Sequence, residues 1–108
     1  MAKYMLAEVQ IKFGVSNLQK YQETMVLIKR IFESEGVMLH HGMLTKAGRL
    51  YKAWNLWQIN DFGHVSRAME NAVNHPDLIA AVTGMEACLE AETVHYLNSL
   101  SFSPDHSE

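Results

Sequence analysis

The sequence predicts an α+β fold whose elements follow the order strand, helix, strand, strand, helix, strand. Three observations support this order. Apolar and polar residues alternate over residues 4–13, as in a strand with one buried face. Apolar residues then recur at helical spacing over residues 16–35. Finally, the extended segments 37–45 and 50–59 are separated by the turn sequence KAGR, which predicts a hairpin.

A glycine, Gly14, ends the first strand, and the first helix begins after it. Ser16 and Gln19 form a capping-box pattern, which predicts that the Ser16 hydroxyl accepts from the free N–H groups at the helix start. The helix runs to about Glu35, and Gly36 is suited to end it in a left-handed conformation. Its apolar stripe consists of Tyr21, Met25, Ile28 and Phe32.

After the hairpin, Asn60 or Asp61 is expected to cap a second helix, because short polar side chains satisfy free N–H groups. The apolar residues of this helix are Phe62, Val65, Met69 and Val73. Pro76 suits the first turn of a separate short helix that extends to about Ala87. Residues 92–102 return to an extended pattern and form the last strand.

This order of elements is the split βαβ arrangement of a ferredoxin-like fold, in which right-handed crossovers place both helices on one face of an antiparallel sheet. Trp54 and Trp57 lie three positions apart in the third strand, so they point to opposite faces. One indole therefore packs under the helices. Burial of the other is worth about 1.5–3 kcal/mol, and a second copy of the chain is the simplest cover for it. We expect a homodimer formed through the sheet face.

With 108 residues, the chain is expected to form one domain, 1–108, in which residues 103–108 are a flexible tail. The net charge is -3 and no segment concentrates lysine or arginine, so we expect no nucleic-acid partner. No window approaches a membrane span and the N-terminus lacks the apolar core of a signal peptide. We therefore expect no membrane partner and a cytoplasmic location. The single cysteine, Cys88, excludes an internal disulfide.

Three segments resemble the NIPSNAP-like branch of the dimeric α+β barrel superfamily: NLWQIND at 55–61, HPDL at 75–78 and ETVHYLNSLSFSP at 92–104. The resemblance implies that two ferredoxin-like subunits join their sheets into a barrel with the helices outside. Asn55 departs from the branch, which commonly has a histidine at that place.

The chain is also similar to the small barrels of antibiotic-biosynthesis monooxygenases. These cofactor-independent oxygenases hold an aromatic substrate with Asn and Trp side chains near the third strand, and Asn55 and Trp57 are of those types. Polyketide cyclases of a third branch carry a His-Pro-x-His element. This chain keeps His75 and Pro76 but has Leu78 at the last position, so the resemblance does not extend to the cyclase mechanism.

A pocket between the sheet and the helices is the predicted site. Asn55 is expected to orient a carbonyl or hydroxyl group, Trp57 to supply a stacking wall, and Tyr21 and Tyr96 to line the pocket. Three small residues on the strands are expected to leave room for such a cavity: Ala7, Gly42 and Ala53.

Histidine is the side chain best suited to proton transfer near neutral pH. His41 enters the more apolar layer if the second strand follows the parity of Val37, Leu39 and Met43, and it is then a candidate general base. His64 begins the second helix, where the positive end of the helix dipole favours a neutral imidazole that can act as a base. A hydrogen-bonded structural role is the alternative for both.

The remaining polar pattern concerns the other face of the sheet. His95 is expected to share the barrel-side layer with Glu8 and Gln10, because the first and last strands are neighbours in this topology. No spacing typical of metal ligands is present, so we expect neither a metal ion nor another cofactor.

These observations predict a NIPSNAP-like protein that binds a hydrophobic or aromatic metabolite, either by binding alone or as a cofactor-independent enzyme of the monooxygenase or isomerase/cyclase type. The alternative is a non-catalytic dimerisation or ligand-sensing module with structural histidines. An open cavity with convergent polar groups favours the first prediction, whereas a closed, packed layer favours the second.

Overall fold

The computed structural model describes residues 2–48 and 50–104. Its elements, with the labels used below, are β1 (Lys3–Ile11), α1 (Val15–Ser34), β2 (Met38–Leu44), β3 (Lys52–Ile59), α2 (His64–Asn71), a 3-10 turn (Ala72–Asn74), α3 (Leu78–Cys88) and β4 (Leu89–Asn98). The four strands form one antiparallel sheet in the order β2-β3-β1-β4. The predicted α+β, ferredoxin-like fold is therefore confirmed.

The strand register defines two faces of this sheet. Met5 pairs with Trp57 and Tyr96, Ala7 with Asn55 and Val94, and Val9 with Ala53 and Glu92. We call the face that carries these residues the helix face, because its residues on β1 and β3 are buried under α1, α2 and α3. The alternate residues form the opposite face, which we call the open face.

Trp57 is the central aromatic residue of the core. Only 2% of it is exposed, and its ring meets that of Phe32 edge-on at a centroid distance of 4.9 Å. Val37, Ile59 and Val65 complete the cluster around it. Burying an aromatic side chain of this size contributes about 1.5–3 kcal/mol, so Trp57 anchors α1 and α2 to the sheet.

Trp54 lies on the open face, which confirms that the two indoles point to opposite sides. Its Nε1–H donates to Thr45 Oγ1 at 2.8 Å, and Lys52 Nζ lies 4.7 Å from the ring centroid. Leu6 and Leu56 pair across β1 and β3 on the same face. No helix in the described part of the chain packs over this face. Nor is any helix among residues 2–48 and 50–104 long and apolar enough to cross a membrane.

A β-bulge in β2 changes the expected direction of the histidines. The register shifts between Leu39, which pairs with Trp57, and His41, which pairs with Leu56. His41 therefore lies on the open face, and its predicted position in the apolar layer is wrong because the bulge reverses the parity. His40 is on the open face too, with Nε2 2.8 Å from Gln58 Oε1.

The helix starts differ from the predicted caps. Helix α1 begins at Val15 with Gly14 as its N-cap, and Ser16 lies inside the first turn without making a side-chain cap, so the capping-box prediction is wrong. Gly36, at φ +82°, follows the end of α1 as predicted. Helix α2 has Gly63 as its N-cap, and the Asp61 carboxylate instead accepts from the Gly63 N–H at 2.8 Å in the preceding turn.

Three other boundaries shift. Strand β3 begins at Lys52 because Tyr51 has a positive φ of 61°, which an extended strand does not accommodate. The last helix begins at Leu78, after Pro76 rather than at it. Strand β4 ends at Asn98, before the predicted limit at residue 102. Residues 105–108 of the predicted tail lie outside the described residues.

Candidate functional site

A cavity of about 430 Å³ lies between the helix face and the helices. We call it the sheet–helix cavity. All four residues predicted to bind a small molecule line it: Tyr21, Asn55, Trp57 and Tyr96. Most of its wall is apolar, with contributions from Ala7, Met25, Ile28, Phe32, Leu78 and Met85. The part of the chain that the structure describes therefore lacks the closed, packed layer that would have favoured the second prediction from the sequence.

The cavity exists because the helices leave β4 uncovered. Helix α3 packs closely on α1, since a side chain at Gly84 would collide with Thr24. Val94 and Tyr96, which face the helices from β4, remain 41% and 45% exposed. Val82 on α3 is also half exposed. These residues mark the opening of the cavity, which runs between β4 and the helices.

A buried hydrogen bond stands at the centre of the site. Asn55, 5% exposed on β3, donates from Nδ2 to the Tyr21 hydroxyl oxygen on α1 at 2.7 Å. Burial raises the pKa of Tyr21, against the lowering effect of this hydrogen bond, so the phenol stays protonated at neutral pH. Because the Tyr21 oxygen accepts from Asn55, its own O–H remains a donor for a ligand.

A second hollow of about 280 Å³ lies on the β2 side of this hydrogen bond and shares Tyr21, Met25 and Asn55 with the larger cavity. Gly42 pairs with Asn55 across the strands, and a Cβ at Gly42 would lie 3.2 Å from Asn55 Oδ1. The three small residues that were predicted to leave room for a cavity line these two hollows, which confirms the prediction. Ala7 lines the larger cavity, whereas Gly42 and Ala53 line the smaller one.

Sequence reasoning missed Glu92. This residue pairs with Val9 in the sheet and lines the sheet–helix cavity from β4. Burial raises the pKa of its carboxyl group. A signal was present in the sequence, because Glu92 shares strand parity with Val94 and Tyr96 and thus interrupts an apolar face.

The two predicted catalytic histidines do not line the cavity. His64 is 6% exposed; its Nδ1 accepts from the Asn60 N–H at 2.9 Å, and its Nε2–H donates to the Glu35 carbonyl at 2.7 Å. Both ring nitrogens are therefore engaged by backbone, in a contact that joins the end of α1 to the start of α2. His41 lies on the opposite face of the sheet. The geometry gives neither residue a route to a ligand in the sheet–helix cavity.

A separate polar cluster occupies the open face. Glu8 pairs with Lys52 Nζ at 3.0 Å and with His95 Nε2 at 3.0 Å, which confirms the predicted neighbourhood of Glu8 and His95. The hydrogen bond from Lys52 lowers the pKa of Glu8, and that from His95 adds to the effect. Within residues 2–48 and 50–104, no three side chains of histidine, cysteine, aspartate or glutamate are placed to hold a metal ion.

Solved structures share this fold. An uncharacterized NIPSNAP domain protein from Burkholderia xenovorans superposes with a TM-score of 0.77 at 20% identity, covering 95% of this chain and 99% of that chain. A NIPSNAP family protein from Agrobacterium tumefaciens gives a TM-score of 0.80 at 15% identity, covering 98% and 100%. SnoaB, a cofactor-independent oxygenase from Streptomyces nogalater, gives 0.60 at 11% identity, covering 96% and 98%.

These similarities confirm the predicted resemblance at the level of the fold, which this chain shares with NIPSNAP proteins and with SnoaB. No protein-family model matches the sequence, and no curated protein matches it either. At such low identity the shared fold does not carry a function with it.

The structural role of His64 makes a first prediction. His64→Ala removes two part-buried hydrogen bonds between the imidazole and the backbone. It is expected to lower the free energy of unfolding by about 1–3 kcal/mol, as measured by urea denaturation. Glu70→Ala, on the exposed side of the same helix, is the control and should change it by less than about 0.5 kcal/mol. A His64→Ala protein as stable as its parent would show that the imidazole does not join α1 to α2.

The position of Glu92 makes a second prediction. Because burial raises its pKa in the folded state, its contribution favours folding at low pH and is lost as the pH rises through the folded-state pKa. Glu92→Gln keeps the neutral form at every pH, so the variant should be more stable than wild type at pH 8 and equal to it at pH 3. Urea denaturation at both values measures this.

The matched control is Glu90→Gln, which removes the same charge from the same strand outside the cavity lining. An equal effect of Glu92→Gln at both pH values would mean that the Glu92 carboxyl group is not desolvated by the cavity.

Proposed function

We propose that the protein binds a small hydrophobic, aromatic metabolite in the sheet–helix cavity and acts on it without a cofactor. One observation carries this proposal: Tyr21, Asn55, Trp57 and Tyr96 line a single, mostly apolar cavity around one buried polar pair. Ligand sites in proteins have this composition, with an apolar wall that supplies affinity and a few polar groups that fix orientation.

The dimensions and walls of the cavity favour an aromatic ligand. Its volume of about 430 Å³ lies within the range of roughly 300–1,000 Å³ that small-molecule sites occupy. Trp57, Phe32 and Tyr96 contribute ring faces and edges to the wall. Aromatic rings gain additional stabilisation when they pack edge-to-face or offset against other rings, so a planar ligand is better matched than a branched one.

The polar pair supplies orientation. The Tyr21 O–H is a donor for a ligand carbonyl or hydroxyl group, and Asn55 holds the phenol in place through the 2.7 Å hydrogen bond. Asn55 thus acts on the ligand through Tyr21, while its Oδ1 lies beside Gly42, which lines the smaller hollow. A ligand that enters between β4 and α3 thus meets its polar partners at the inner end of the cavity.

For the enzymatic part of the proposal, we take the reaction type from SnoaB, a cofactor-independent oxygenase that has this fold. Among the types considered from the sequence, this similarity favours a monooxygenase over an isomerase or cyclase. His41 and His64 are left out of the proposed site, because neither lines the cavity. The polar groups available to a substrate are those of Tyr21, Asn55 and Glu92.

We also propose that two copies of the chain pair through the open face. Leu6, Trp54 and Leu56 lie there without cover from any described helix. Apolar side chains of this size on a sheet surface are typical of an interface. The cavity opens on the other face, so each subunit of such a dimer keeps its own site.

Replacing Asn55 tests the binding proposal. In Asn55→Leu the Tyr21 hydroxyl loses its partner, and we expect the affinity for 2-naphthol, measured by isothermal titration calorimetry, to fall roughly tenfold. Gln58→Leu, on the same strand but the open face, is the control and should keep the parent affinity. Unchanged binding by Asn55→Leu, with its fold verified by circular dichroism, would contradict the proposed orientation.

The same pair of variants tests the enzymatic part. Native mass spectrometry of protein purified from its own host identifies any retained ligand, and oxygen consumption is then measured with that compound in the absence of added flavin or metal. Turnover by wild type and Gln58→Leu, with loss in Asn55→Leu, is the expected result. A retained compound that is bound but never converted would favour the ligand-sensing alternative.

The dimer proposal predicts that sedimentation equilibrium gives twice the 12.3 kDa mass of one chain. Leu56→Arg places a charge on the open face and should yield monomers, because an unpaired charge is costly to bury. Ile79→Arg, at an 81% exposed position on α3, is the control and should stay dimeric. A wild-type protein that sediments as a monomer would refute the pairing.

A further inference from the structure

We infer that Glu92 selects ligands that carry a phenolic or enolic hydroxyl group. Its carboxyl group accepts the hydrogen bond that this hydroxyl group donates in the sheet–helix cavity. This inference rests on the proposed function, because it names the class of aromatic molecule that the cavity takes. Glu92 is then a specificity-determining residue.

The placement of Glu92 is fixed by the sheet. Glu92, Val94 and Tyr96 alternate along β4 and pair with Val9, Ala7 and Met5 on the helix face. Glu92 therefore points to the same side as the buried strand residues and lines the cavity together with Tyr21 and Asn55. It is the only carboxylate among the described residues that line the cavity.

Among the described residues, Glu92 has no ion-pair partner of the kind that holds Glu8 on the other face of the sheet. Glu8, on the open face, is held by Lys52 and His95, each at 3.0 Å. Among residues 2–48 and 50–104, no side chain forms an ion pair or a hydrogen bond with the Glu92 carboxyl group. Glu92 is exposed on β4, so a ligand that covers it removes water from its carboxyl group. That is costly unless the ligand supplies a hydrogen bond, and a ligand hydroxyl group supplies one.

Glu92 and Tyr21 together define where such a hydroxyl group fits. Burial is the main reason that the pKa of Tyr21 is raised, and the charge of Glu92 adds to the increase. They are not directly hydrogen-bonded. Both side chains line the same cavity, Tyr21 with a donor, its O–H, and Glu92 with an acceptor, its carboxylate. A ligand hydroxyl group accepts from the first and donates to the second.

The test compares two probes that differ in one donor: 2-naphthol and 2-methoxynaphthalene. Calorimetric titration of the wild-type protein should show a preference of about tenfold for the naphthol, since hydrogen bonds to charged groups are among the stronger ones. Glu92→Met should abolish this preference by weakening naphthol binding, without weakening ether binding. Glu90→Met, on the same strand but outside the cavity lining, should keep the preference.

The outcomes separate this inference from the function on which it rests. If the wild-type protein binds both probes equally, or if Glu92→Met keeps the preference, the role of Glu92 is refuted while cavity binding stands. If neither probe binds, the proposed function fails and the inference fails with it. Glu92→Gln keeps a hydrogen-bond acceptor without the charge, and it serves as the conservative variant if Glu92→Met does not fold. It should show an intermediate preference.

Discussion

The hydrogen bond between Asn55 and Tyr21 is the contact around which the site is arranged. An amide in the middle of a sheet is tolerated only when it is satisfied, and here the partner is a phenol on α1, at 2.7 Å. This polar contact couples the helix to β3 at a point where close apolar packing is absent. Cavities consequently lie on both sides of it, and both include Tyr21 and Asn55 in their walls.

The order of elements could be predicted from the sequence because it depends on local patterns. Alternation fixed which residues of β1 and β3 share a face, and so the opposite directions of Trp54 and Trp57 followed from their spacing alone. Tyr21 and Asn55 could be assigned to one pocket for the same reason: the helical stripe and the strand parity both point toward the sheet–helix layer.

What could not be predicted depends on contacts between distant segments. The bulge in β2 reverses the parity at His41, and nothing in a run of extended residues marks where the extra residue lies. His64 is satisfied by the backbone of Asn60 and Glu35, of which the second comes from the end of another helix. Strand parity groups Glu92 with Val94 and Tyr96, but only the pairing of β4 with β1 shows that these side chains lie on the helix face.

The acidic residues on the two faces of the sheet differ in whether other side chains of the protein hold them. Glu8 is held by Lys52 and His95, so its presence on the open face is explained by contacts within the chain. Glu92, on the next strand and the other face, is exposed on β4 and lines a cavity, where partial burial raises the pKa of its carboxyl group. We propose that Glu92 serves a ligand that enters the cavity, whereas contacts within the chain hold Glu8.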